Sequence, residues 1–547
     1  MRRPHPAWLV PFALPLYWRI SVGPGALGRR TSDLVSHVWA IWNGGGGDPT
    51  RTDHFSFPEG LDLLPIFGGW LHTLLGVGLH RLGADPLGAY STVVCAWLVV
   101  AGLAGMALAR VLGTGMGAAI VGGLLLQLDG FVLYHATDGR PEHAGLGFTA
   151  LALTAALSLW QRSGSLATAR TAAAGALVFL VSWEHALWLA LACAWLLPWL
   201  HTTPAGRTGR RRWLHAGLLA AVLACPWIWM FFDRALAVRS VDEGHETLLL
   251  SVDQSLTLIP WLLSAGRHPG RGLFLLVLAL PWLVRRTHRT LAFGVVAGLL
   301  ISFVLALGPS PGLYASGDLW PAPGNRFILW GPFTWMQKLP VVGWFHAPDR
   351  LAMGVSIAIA GAGALLVERL WTWRKPAAIV AAIVLPGWAA IEAHTASDWP
   401  RAGFALPEHH PATTLAQSPV PGAVLDLPPA TAPWQQEARV VHQLIHHRPI
   451  PGHLFLDRLA TDRTEAIVQA IPLLRWVARG DGRAAPELSD AHRAQMIEQG
   501  FGILTIHSRQ MTPRRRKAVL HAMAVEFGAP LAEDPGVWTA YGLAPDG

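Results

Sequence analysis

The chain has 547 residues, 52% of them hydrophobic and 14% charged, with a net charge of +8. Soluble globular chains carry roughly a quarter charged residues, so this composition argues against a wholly soluble enzyme. Residues 1–393 hold 28 basic and 19 acidic side chains and residues 394–547 hold 14 and 15, so the basic excess is no nucleic-acid-binding face on the polar C-terminal part.

A transmembrane helix needs about 20 apolar residues, with shorter runs tolerated. Candidate spans follow at 7–22, 88–109, 116–134, 144–160, 170–183, 186–200, 213–232, 272–284, 290–307, 350–367 and 377–393, eleven in all. The first has Pro11, Pro15 and Trp18-Arg19 where a signal peptide has a small-residue cleavage site, and it is read as a span. Cys95, Cys193 and Cys225 all lie in apolar runs, which gives neither a disulfide framework nor a zinc pattern.

Cytoplasmic loops are enriched in Lys and Arg. Arg2 and Arg3, Arg110, Arg162 and Arg170, Arg207 to Arg212, Arg285 to Arg289, and Arg369 to Lys375 fall on alternate connections, which makes that face cytoplasmic. An odd number of spans then leaves the C-terminus outside. The expected architecture is mainly α: a polytopic helix bundle over 1–394 in the cytoplasmic (inner) membrane, followed by a small extracytoplasmic α/β domain over 395–547. Long outside loops are expected at 23–87, 233–271 and 308–349, with Leu63–Leu79 as an amphipathic interfacial helix.

The chemistry-bearing residues gather on that outer face. Asp33 and His37 stand four apart, on one face of a helix; the carboxylate can take a proton from a hydroxyl or hold a divalent cation, and the imidazole can tune or relay that proton. A bland reading makes Asp33 a first-turn cap. The segment after the third span packs His135, Asp138, Arg140, Glu142 and His143 together, where Arg140 suits a phosphate and Asp138 or Glu142 a second acid; the alternative is a self-neutralised loop. Glu184-His185 fits a tight turn, and Arg350 stands where the chain re-enters the bilayer, as a lipid-phosphate ligand or an interfacial anchor. Gly44 to Gly47 lack the Lys-Ser/Thr of a nucleotide loop. Apart from Asp129 the spans hold almost no ionisable residue at depth, which counts against a transporter or flippase; a non-catalytic assembly protein of the envelope is the remaining rival.

An outside Asp after the first span, Phe57-Pro58-Glu59-Gly60-Leu61-Asp62-Leu63, the His-containing loop after the third span, and Leu339-Pro340 leading to His346-Ala347-Pro348-Asp349-Arg350 together resemble the GT-C superfamily of membrane glycosyltransferases. The nearest likeness is to its bacterial YfhO-like branch, with Val424-Leu425-Asp426-Leu427-Pro428 and His446-His447-Arg448-Pro449-Ile450 similar to that branch's outer domain. The resemblance spans nearly the whole chain on loose spacings. It implies transfer of a sugar, with inversion, from a polyprenyl-phosphate-linked donor to a glycan, lipid or protein acceptor, with Asp33 as the base. The branch's late Arg-x-Pro-x-Arg-Phe is altered here: His346 replaces its first Arg and Leu351 its Phe, which implies a weaker phosphate clamp or another head group.

In the C-terminal part, Gly422–Leu427 and Phe501–His507 read as strands and Trp434–His447, Thr464–Arg479, Asp490–Gln499 and Pro513–Phe527 as helices. His442, His446 and His447 are expected on a helix surface, with an acceptor groove as the alternative.

Overall fold

The computed structural model describes residues 5–55, 61–63, 69–161, 164–200, 206–238, 273–306, 348–397, 399–407, 409–429, 433–451, 462–479 and 484–543. They form two compact units, one within Met1–Arg29, Phe67–Leu75 and Tyr90–Gly403, the other within Arg30–Ile66, Gly76–Ala89 and Phe404–Gly547.

The first unit is helical, and a helix lies on each of the eleven apolar stretches. Among the described residues six helices are long and apolar enough to cross a membrane, or seven if Met116–Gln127 and Gly130–Asp138 form one bent span. Others fall short: Val10–Val22 has 13 residues and Phe274–Leu283 has 10. Leu218, Trp229, Ile383 and Trp388 are exposed on their helices, the inverse of a soluble bundle and suited to lipid. Small residues let helices approach closely, since lipid supplies no hydrophobic drive between them. A Cβ on Gly105 would stand 2.4 Å from the Gly122 carbonyl oxygen of the neighbouring helix.

The bend of 41° between Met116–Gln127 and Gly130–Asp138 has a cause in sequence. Asp129 caps the second half by accepting from the Phe131 amide at 2.9 Å, and the same oxygen accepts the Ser356 hydroxyl at 2.7 Å. The carboxylate is thereby satisfied at depth.

The second unit contains a four-stranded sheet in the order Ala423–Leu427, Phe501–Ile506, Trp538–Gly542, Ala532–Asp534. The first pair is parallel and the other two antiparallel. Leu425, Leu504, Ile506, Trp476, Val519 and Met523 share its core, each apolar side chain contributing about 1.5–3 kcal/mol on burial. Helix Ser32–Gly46 packs against helix Pro433–His446, and the Ile450 amide donates to the His54 carbonyl at 2.9 Å, so residues 30–66 and the C-terminal segment share one unit.

The structure departs from several expectations. The helix expected over Leu63–Leu79 runs over Leu71–Arg81, and Leu61–Asp62 pairs as a strand with Arg51–Thr52. The helix expected over Thr464–Arg479 is two, Asp462–Ala470 and Pro472–Arg479, as a proline inside a helix removes a hydrogen bond and suits a new first turn instead. The hairpin of Ala532–Asp534 and Trp538–Gly542 is an addition, turning at Gly536 with φ 78°. His446 is 4% exposed and belongs to the interior, where burial pushes its imidazole down to about 3 against the pull of the Asp426 carboxylate.

Candidate functional site

The segment 134–143 is a buried junction of two short helices in the first unit. Helix Gly130–Asp138 ends at Gly139 in the left-handed conformation, φ 84°, a position that favours glycine. Pro141 at the first turn then starts Pro141–Ala144. This tight reversal draws His135, Asp138, Arg140, Glu142 and His143 together, as their spacing predicts.

Two charged arrays stand there. Asp138 receives the Arg29 guanidinium at 2.7 Å, with Arg140 at 3.5 Å and the Tyr134 hydroxyl at 3.4 Å. In the second array, Arg350 Nη1 lies 2.7 Å from both carboxylate oxygens of Glu184. His143 Nε2 stands 3.5 Å from Glu184 and 3.7 Å from Glu142. The His143 ring lies 4.9 Å from His135 and 5.6 Å from His185, centroid to centroid. His185 Nδ1 is 3.2 Å from the Thr149 hydroxyl. His135, His143, Glu184 and His185 are all at most 2% exposed. His143 Nδ1 and His185 Nε2 have no hydrogen-bond partner among the described residues.

Chemically the junction offers guanidinium groups suited to an anionic oxygen. Its acids can hold those groups or carry protons. A ring nitrogen of His72 and a carboxylate oxygen of Glu142 come within 4.8 Å, a spacing that two ligands of one cation can have.

The structure thus unites five of the predicted residues with Arg350, through Glu184, which the sequence offers as a further chemistry-bearing group or as part of a tight turn. Arg29 is the member that sequence reasoning missed. Its partner Asp138 lies 109 positions away, so no local pattern in the sequence signals it. His346 lies outside the described residues.

Asp33 and His37 belong to the second unit, on helix Ser32–Gly46. The cap of that helix is Thr31, whose hydroxyl accepts from the Leu34 amide at 3.2 Å. Asp33 is half-buried in the first turn, where the helix dipole favours a carboxylate, and His37 is buried one turn on. Elsewhere in this unit Asp426 and His507 end the two parallel strands, 2.8 Å apart. His442 stacks on His507 at 5.7 Å, and Thr505 also donates to Asp426. Burial alone would raise the Asp426 carboxyl, but the His507 and Thr505 hydrogen bonds and the Arg439 charge hold it well below the usual carboxylate range.

Neither a protein-family model nor a curated protein matches the sequence. Solved structures do match by shape. The mycobacterial arabinofuranosyltransferase AftD is 19% identical with a TM-score of 0.56, over 98% of this chain and 40% of that one, so this chain spans well under half of AftD. The oligosaccharyltransferase AglB of Archaeoglobus fulgidus, in complex with an inhibitory peptide and a dolichol-phosphate, is 11% identical with a TM-score of 0.50, over 95% and 70% of the two chains. ArnT of Cupriavidus metallidurans, bound to undecaprenyl phosphate, is 14% identical with a TM-score of 0.50 and covers 99% of both chains. The chain shares the fold of these three proteins.

Proposed function

We propose that the chain is a membrane glycosyltransferase moving a sugar from a polyprenyl-phosphate-linked donor to a hydroxyl of an extracytoplasmic glycan, lipid or protein acceptor. The carrying observation is the buried junction of Arg29, Asp138 and Arg140 with Arg350, Glu184 and His143. Ionisable groups sequestered at helix ends of a membrane bundle are costly and mark functional sites. The lipid phosphates bound to ArnT and AglB support a carrier of that class.

In this reading Arg140 and Arg350 take the donor phosphate through charge-assisted hydrogen bonds, and Asp138 and Glu184 keep the two guanidinium groups in place. His135, Glu142 and His143 line the donor side. Asp33, tuned by His37, accepts the proton of the acceptor hydroxyl. The acceptor oxygen bonds to the anomeric carbon from the face opposite the phosphate, the carbon–oxygen bond to phosphate breaks, and the lipid phosphate leaves with the electron pair. The anomeric centre is inverted. Membership of the YfhO-like branch, residence in the inner membrane and a C-terminal domain on its outer side are parts of the same proposal.

The test is turnover of radiolabelled polyprenyl-phosphate pentose or hexose by the protein in nanodiscs. Replacing a general base costs about 10²–10⁴-fold in rate, so Asp33→Asn is expected to lose at least a hundredfold. Unchanged turnover removes Asp33 from the mechanism.

A further inference from the structure

The second unit holds a cleft of about 580 Å³ beside the glycine run, within the size range of small-molecule sites. Its lining includes Trp42, Asn43, Asp48, Asp53, His54 and His80. None of these residues takes part in the chemistry proposed above.

The walls are fixed before any ligand arrives. Arg81 donates to the Gly44 carbonyl at 2.7 Å and to that of Gly47 at 2.9 Å, which pins the glycine run from outside. The Asn43 side-chain oxygen accepts the Thr52 hydroxyl at 2.8 Å, and one Asp48 oxygen takes both the Thr50 amide at 2.8 Å and its hydroxyl at 2.7 Å. A Cβ on Gly45 would meet the His80 ring at 2.1 Å, so only glycine lets that imidazole stand at the wall. Trp42 is stacked on His447, ring centroids 4.8 Å apart at 26°, and half-buried.

The donor and acceptor inventory is specific. His80 Nδ1 faces the Ala84 carbonyl at 2.7 Å and must donate, so Nε2 is the ring nitrogen left to a further partner. Burial lowers the His54 imidazole below its ordinary value, against the raising effect of Asp53, which favours its neutral form. The carboxylates and imidazoles of the lining accept hydrogen bonds, the Arg51 guanidinium donates them, and an indole adds one apolar surface. That combination suits a ligand rich in hydroxyl donors with a C–H face.

We propose that this cleft is a carbohydrate subsite that holds a sugar residue of the acceptor. The proposal rests on the transferase reading and narrows its acceptor to a glycan or glycoconjugate. Preformed walls lower the ordering cost of binding.

The full chain in nanodiscs is titrated with methyl pyranosides of glucose, galactose and mannose, methyl arabinofuranoside and disaccharides of each, followed by saturation-transfer NMR. Undecaprenyl phosphate binding is measured on the same sample. At least one saccharide is expected to bind, weakened about tenfold or more by Asp53→Ala and by Trp42→Phe, two variants whose melting should match the parent. Saccharide binding indifferent to both variants overturns the subsite. So does the absence of saccharide binding in protein that binds undecaprenyl phosphate. If undecaprenyl phosphate also fails to bind, the transferase reading falls with it.

Discussion

Arg350 places one guanidinium nitrogen 2.7 Å from both carboxylate oxygens of Glu184, a residue 166 positions earlier. Their side chains are 11% and 3% exposed. Removing one member of such a pair leaves an uncompensated buried charge, a loss of about 3–5 kcal/mol, whereas replacing both is milder. Glu184→Gln and Arg350→Met should each lower the melting temperature in detergent more than the double variant does. Additive losses would mean that the two groups are uncoupled.

Arg140 makes a longer contact with Asp138, 3.5 Å, than Arg29 does. It is therefore the guanidinium more easily drawn to another anion. A hydrogen bond to a charged group contributes about 1.5–3 kcal/mol, so Arg140→Gln should weaken undecaprenyl phosphate binding tenfold or more by native mass spectrometry. An unchanged affinity would remove Arg140 from the donor site.

Acid should loosen the second unit in two stages. His446 has its imidazole pushed down to about 3 by burial, and burial with the His507 charge holds His442 well below its ordinary value. Between pH 6.5 and about 3 the unfolded chain binds protons at these rings that the folded chain does not, so stability falls as pH drops through this window, by about 1.4 kcal/mol per pH unit for each proton. Asp426, held below its ordinary value, adds a further loss below the unfolded carboxylate pKa of about 4. Hydrogen exchange at Phe501–Ile506 should accelerate accordingly, and His446→Gln should flatten the first stage. An equal acid dependence in that variant would contradict the assignment.

Gly105 and Gly117 offer an internal comparison. A Cβ on Gly105 meets a backbone oxygen at 2.4 Å, while one on Gly117 meets nothing within 4 Å. Overpacking costs about 1–3 kcal/mol, and an unhindered alanine in a helix is neutral or favourable. Gly105→Ala should therefore lower the melting temperature and Gly117→Ala should not; equal effects would argue against close approach of the two helices.

Sequence legibility followed the range of the interaction. The eleven apolar runs and the crowding of His135 through His143 rest on neighbours in the chain, where period and turn chemistry act, and helices stand at those places. The Glu184–Arg350 pair and the alliance of helix Ser32–Gly46 with Pro433–His446 join distant segments. Nothing in local periodicity encodes such partners. His446 illustrates the same limit: helical spacing gives its place on the helix, but the side that becomes interior depends on the sheet carrying Asp426.

The bend at Asp129 has an implication for biogenesis. Its carboxylate relies on Ser356, 227 positions downstream, so during synthesis the early helices enter the bilayer with this acid answered only by its own cap. The elbow can lock only after a late helix has been threaded and has docked, which makes the C-terminal spans the arbiters of the geometry at the N-terminal half.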